Sequence, residues 1–293
     1  MKLLKKMVYV ILLLTPFIIF AQDDLLEELE NDIPQTDEAV SSVFKGVKII
    51  NFESTKLIGK EQLYFIISHR FGNLSDGVDN FLGLDDASVR IQFLYAPTEW
   101  LNIGASRSGF NKTYDLSLKY RLKQQQKDGF PVNIVGYNLI NVNTNFDEDF
   151  LPGLSFNDRL GYTSQLLVSR KFNKWLSLEF APTFFYDNTV FEDGQDNAQF
   201  ALGFGGRFKL SKRYAILADY GLHLNRVDNS NFNDALALGL EIETGGHVFQ
   251  LHISNSQAIY ENGFLGQTRG DFSEGDIFLG FNISRAFSLK KKR

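Results

Sequence analysis

The chain has no cysteine in its 293 residues. Disulfide staples, thiolate metal sites and cysteine nucleophiles are therefore excluded, as is a lipid anchor on a cysteine after a cleaved leader. Histidine is scarce, with four in all. His69 and His247 fall near strand ends and His223 near a loop-side rim, with no HExxH or other helical two-His spacing that would support a metal site. Walker A, GxSxG and dinucleotide fingerprints are absent too. Gly203-Phe204-Gly205-Gly206 lies in mid-strand, whereas phosphate cradles form at helix N-termini. These absences leave no cofactor to expect. The formal charge of −5 argues against a nucleic-acid partner. After the first 20 or so residues no apolar run reaches the roughly 18–20 residues of a membrane-spanning helix.

What the sequence does have begins with MKLLKKMVYVILLLTPFIIFAQ. Lys2, Lys5 and Lys6 precede the apolar run Val8–Phe20 and the small Ala21. This reads as a secretory signal peptide over residues 1–21, cleaved before Gln22. Aromatic residues are abundant, with 28 Phe and 11 Tyr, which suits strands that turn an apolar face outward.

The stretch 159–186 gives the repeating unit. RLGYTSQLLVSRK places Leu160, Tyr162, Leu166 and Val168 on one face and Thr163, Gln165 and Ser169 on the other. After the short turn Phe172-Asn173-Lys174, LSLEFAPTFFY alternates in the same way. Period 2 marks strands with one apolar and one polar face. Arms of about 10–12 residues suit a tilted strand crossing a bilayer. About twelve such segments run from Glu61–Phe71 to Asp276–Phe287, so the expected fold is an all-β, transmembrane antiparallel barrel. An even number keeps both termini on one side, the periplasmic one. For that reason Val47–Glu53 is not counted as a strand and is placed on the periplasmic side.

The expected domain organisation is a signal peptide (1–21), an acidic periplasmic segment (22–45), the barrel (46–287) and a basic tail (288–293). The acidic segment, from Asp23 to Glu38 without Lys or Arg, reads as a solvated tail, or else as a plug or docking segment for a periplasmic partner. Connections alternate between short turns and long acidic loops. Ser256–Gly275, with Glu261, Asn262 and Asp271, is one of the loops expected to face outward.

Alternation turns Arg90, Asp115, Lys119, Arg121, Glu179, Arg207, Lys209, Asp219, Glu241, Glu243, Gln250 and His252 toward the lumen. Gly104, Gly136, Gly161, Gly203, Gly205, Gly221, Gly239 and Gly280 point the same way by this count. Charges of both signs inside a barrel must pair or stay hydrated. The lumen is thus either closed by ion pairs or a mixed, wet channel. Small inward residues leave bore space or let strands coil. His252 and Ser254, two apart on one strand, share a face and can meet, as a His-activated serine requires. The pair resembles the His-x-Ser arrangement of the outer-membrane phospholipase family, whose pair faces lipid. Here Phe249, Leu251 and Ile253 claim that face, and Asn282 is the candidate third member.

FKGVKIIN at Phe44, FIISHRFG at Phe65, HVFQLHISNSQ at His247 and GDIFLGFNISRAF at Gly275 resemble an uncharacterised family of Bacteroidota outer-membrane barrels. The resemblance implies a barrel in the outer membrane of a Gram-negative bacterium, in contact with its lipid, and brings no catalytic residues. The expectation is a narrow pore or substrate-binding channel for a small molecule or ion. A lipid hydrolase built on His252 and Ser254, and a structural or adhesion barrel with acidic loops, are the alternatives.

Overall fold

The computed structural model describes residues 40, 42–146, 152–245 and 247–289. The signal peptide, nearly all of the acidic segment 22–45 and most of the basic tail lie outside these residues. Twelve strands follow one another: β1 (Gln62–Asn73), β2 (Ala87–Thr98), β3 (Leu101–Ser108), β4 (Tyr114–Lys123), β5 (Asn133–Val142), β6 (Leu160–Lys171), β7 (Leu176–Asp187), β8 (Ala198–Lys209), β9 (Tyr214–His223), β10 (Ala235–Glu243), β11 (His247–Ser254) and β12 (Phe278–Ser288). Each pairs antiparallel with its sequence neighbours, and β1 pairs with β12 to close the barrel. The starts and ends lie within a few residues of those read from alternation, because period 2 and turn chemistry are local signals.

Outward faces carry Ile91, Phe93, Leu116, Leu118, Phe180, Phe204, Leu238 and Leu251, each exposed. That is the surface a bilayer covers. Trp100 and Trp175 are exposed beside short turns, where an interfacial girdle belongs. The expected inward positions do point in, with one exception among the glycines. Gly136 faces out, and the ring of Tyr120 on the neighbouring strand lies where its Cβ would be. Inward on β5 are Val135, Tyr137 and Leu139, all buried.

Two segments outside the wall fill the barrel. Val43–Ile58 enters from the short-turn end, just ahead of β1, with Phe44, Val47, Ile49, Ile50, Phe52 and Ile58 almost wholly buried. It turns back on itself through a single Lys48–Glu53 bridge and pairs with no wall strand. The exclusion of Val47–Glu53 from the strand count holds, but the segment lies inside the lumen. From the opposite end, Ser256–Thr268 folds inward around the short helix α1 (Glu261–Gly266). Glu261 and Asn262 are fully buried, which corrects the expectation of an outward loop there. Apolar Ala258, Ile259, Phe264 and Leu265 on this loop find cover only inside the barrel.

Candidate functional site in the barrel lumen

The Ile49–Phe52 turn is held by wall side chains that meet its backbone. The carboxylate of Asp219 on β9 accepts the backbone N–H groups of Ile50 (3.0 Å), Asn51 (2.7 Å) and Phe52 (3.3 Å). Its other oxygen accepts the Asn51 side-chain amide at 3.0 Å. Arg70 on β1 donates to Asn51 Oδ1 at 2.9 Å, and Asn282 on β12 donates to the Ile50 carbonyl. A turn exposes several N–H groups on one side, and a carboxylate there satisfies them together.

Lys119 on β4 serves the carbonyl side. Its ammonium donates to the carbonyls of Val47 (3.1 Å), Ser54 (2.9 Å) and Lys56 (3.3 Å) and meets Glu53 Oε2 at 2.6 Å. Lys48 bridges to Glu53 Oε1 at 3.2 Å and stands 3.8 Å from Glu261 Oε1 of the opposite loop. One plug lysine thus lies between both fillings of the lumen. Glu179 on β7 accepts the Thr55 N–H at 2.9 Å, and Gln250 on β11 donates to the Lys48 carbonyl at 3.0 Å.

The remaining charged candidates divide by position. Arg90 and Asp115 form a fully buried pair at 2.9 Å, and Arg90 also donates to the Ile259 carbonyl of the inward loop. Arg207 pairs with Glu241 at 2.7 Å, and Glu243 with Lys45 at 3.2 Å. Arg121 and Lys209 lie toward the short-turn end and are only partly buried. The lumen is filled by the two segments, held by these ion pairs and hydrogen bonds and by apolar packing.

His252 and Ser254 both face inward but do not form a dyad. Neither ring nitrogen of His252 has a hydrogen-bond partner, and the Ser254 hydroxyl accepts the Ser256 N–H at 3.0 Å. Asn282 lies beside Gln250, not His252, and its amide is spent on Ile50 and Gln250. The groups a His-activated serine needs are apart. Among the described residues no cluster of His, Asp or Glu could hold a metal ion. At the long-loop end, Asp276 accepts the Asn73 amide, which holds its carboxyl below the usual aspartate value of 3.8.

Sequence reasoning offered a plug only as an alternative for residues 22–45, and it missed Val43–Ile58 as the plug and the seat that holds it. Gly203 and Gly205 on β8 and Gly221 on β9 give the wall a flat patch. A Cβ at Gly205 would run into Ile49, and one at Gly203 into Phe52. At Gly221 it would stand 3.1 Å from Phe52 and 2.9 Å from Leu265. The glycines make room for a specific occupant. The available signal was inward glycine on neighbouring strands together with an apolar stretch directly ahead of the first strand.

A closed ring of twelve antiparallel strands, apolar outside and polar within, defines a membrane-bound β-barrel of the outer-membrane type. The chain belongs to the family DUF5777, described as a membrane bound beta barrel domain, whose model matches residues 44–287. That match takes in the plug as well as the wall. No curated protein matches the chain. Among solved structures it is similar to the NanC porin (10% identity, TM-score 0.47, covering 78% of this chain and 100% of that one). It is also similar to the KdgM porin (7%, 0.47, 77% and 99%). A third likeness is to the COG4313 outer membrane channel from Pseudomonas putida F1 (13%, 0.45, 79% and 97%).

Proposed function

We propose that the protein is a gated solute channel of the outer membrane, closed in this conformation by Val43–Ile58 and Ser256–Thr268. One observation carries this reading: the ring of strand pairs is complete without either segment. The plug can leave without breaking a ladder hydrogen bond of the wall. What it gives up are contacts to Asp219, Lys119, Arg70, Glu179, Gln250 and Asn282, polar groups that water can serve once the lumen is wet, and the burial of Phe44, Ile49, Ile50 and Phe52. Gly59 and Lys60 are exposed and link the plug to β1, so they are the natural hinge.

In this reading both termini are periplasmic and the long loops external. Residues 22–45 run directly into the plug, so a periplasmic partner that captures the acidic segment would draw on residues 43–58. The mixed charge of the wall suits a small polar or ionic solute with little selectivity by sign.

The test is single-channel recording in a planar bilayer. The full chain gives small, infrequent openings. The double change Lys119→Met with Asp219→Ala raises the open fraction at least tenfold. Silence of both, when a cysteine placed at Ser54 shows the plug has moved, would make this a sealed barrel acting through its loops. Orientation is read separately on intact cells, where a cysteine at Asp193 labels and one at Lys212 does not.

A further inference from the structure

Apart from irregularities near strand ends in β1–β12, β2–β3 and β4–β5, the wall's ladders are interrupted in mid-strand at one place. The β6–β7 ladder runs from Gly161↔Asp187 to Gln165↔Thr183, skips two positions, and resumes at Val168↔Phe180 in the same register. The skipped partners are Leu166 opposite Pro182 and Leu167 opposite Ala181. On their other sides β6 and β7 stay fully paired, with Gly136↔Leu166 and Pro182↔Leu202.

Backbone polarity explains the break. Trp175 and Asp187 direct their backbone groups at β8, while Leu176 and Asn188 direct theirs at β6. By alternation Pro182 belongs to the second set and faces Leu166. Proline has no N–H, so the Leu166 carbonyl loses its ladder donor. At that depth lipid offers no water to replace it. Such a residue is normally confined to sheet edges, yet here it sits in the middle of a closed barrel.

Both sides of the break are apolar. Inside, Leu167 and Ala181 are buried in one apolar cluster with Phe264 and Leu265 of the inward loop. Outside is a concavity of about 410 Å³ whose lining includes Leu166, Pro182, Phe184, Phe200 and Ser164. Ser164 is exposed on the bilayer side, and among the described residues its hydroxyl meets no hydrogen-bond partner. A polar atom left open on a lipid face is unfavourable unless something meets it.

From these features we infer that the seam between β6 and β7 at Leu166 and Pro182 is a lateral exit. Through it a small apolar molecule with one hydroxyl or carbonyl passes from the lumen into the bilayer. The molecule enters past the inward loop and slips between Leu167 and Ala181 where the ladder is already open. Its polar group then meets Ser164. This rests on the gated lumen of the channel reading and adds to its small polar solute a second, apolar substrate class.

The test pairs two readouts. Uptake of the apolar fluorophore N-phenyl-1-naphthylamine is followed in cells carrying the protein in their outer membrane, and ion conductance is recorded from purified protein. The wild type raises initial uptake about fivefold over cells without the protein. Pro182→Ala restores the N–H and removes most of that gain while ion conductance stays unchanged. The pair Leu167→Cys with Ala181→Cys, the other skipped partners, keeps Pro182; it blocks uptake when oxidised and recovers it when reduced, which separates closure of the seam from misfolding. Uptake by Pro182→Ala or by the oxidised pair as fast as wild type would overturn the exit, as would no gain from the wild type. Pro182-dependent uptake from a protein that never conducts ions keeps the exit and removes the polar-solute channel.

Discussion

The inner wall has two unlike arcs. From β10 through β12 and β1 to β4 it presents Glu241, Gln250, His252, Asn282, Arg70, Arg90, Asp115 and Lys119, all buried. From β5 to β8 it adds Val135, Tyr137, Leu139, Leu167, Ala181, Phe185 and Ala201, set among the buried polar Thr163, Gln165, Glu179 and Gln199. The first arc holds the plug by directional bonds to named backbone groups, which set its register. The second has fewer such bonds, among them Glu179 to Thr55 and Thr163 to Asn262, and adds the burial of Phe52, Phe264 and Leu265, which is non-directional and tolerant of sliding. A gate needs both: the polar arc makes closure specific, and the apolar arc makes it dry. The lateral seam lies in the second arc, where Leu167 and Ala181 belong to its apolar cluster.

The largest effects are expected from breaking each arc alone. Lys119→Met leaves Glu53 without its closest cation, and removing one partner of a buried pair costs about 3–5 kcal/mol. That loss falls on plug docking, so a cysteine at Ser54, fully buried in the wild type, becomes reactive to maleimide while the barrel still migrates as folded. Phe264→Ala, at about 3–5 kcal/mol for a buried phenylalanine, should free the inward loop. A cysteine at Asn262 then labels and one at Ser54 stays protected. Release of both by either change would show that the arcs act as one unit.

A middle-sized effect sharpens inside against outside. Leu118→Arg or Leu238→Arg on the bilayer face destabilises the barrel by about 2–4 kcal/mol near mid-depth, read as a lower urea midpoint in lipid. Thr163→Arg faces inward, but Thr163 donates to Asn262 Oδ1 at 2.5 Å. It should therefore expel the loop and raise conductance while leaving the urea midpoint near wild type. Equal midpoints for all three would refute the assignment of faces.

The smallest effect lies outside both arcs. Asp276 has its carboxyl lowered by the Asn73 amide. Its stabilisation of the loop end is complete above the ordinary aspartate value and lost as pH falls through the lower folded one. Being only partly buried, it contributes little. Proteolysis near Asp271 should quicken only in strong acid, and Asp276→Asn should remove that dependence.

Strand number, facing and closure were legible in the sequence because each rests on near neighbours. Leu176, Leu178 and Phe180 alternate with Ser177 and Glu179 whatever lies across the lumen, and the turn at Asn173 needs only its own residues. The same rule put Asp219, Lys119 and Glu179 inside. It failed at Gly136 because, on a strand whose inward residues are Val135, Tyr137 and Leu139, apolar character no longer tells the two faces apart. What fills the barrel was decided by tertiary structure alone. Phe44–Ile58 and Ser256–Thr268 have no periodicity that says inside, and their partners are remote: Thr55 meets Glu179 across 124 positions and Ile50 meets Asn282 across 232. Only closure of β1 on β12 brings such residues together. The seam is of the same kind, since Pro182 reads as an ordinary strand residue until register sets it opposite the Leu166 carbonyl.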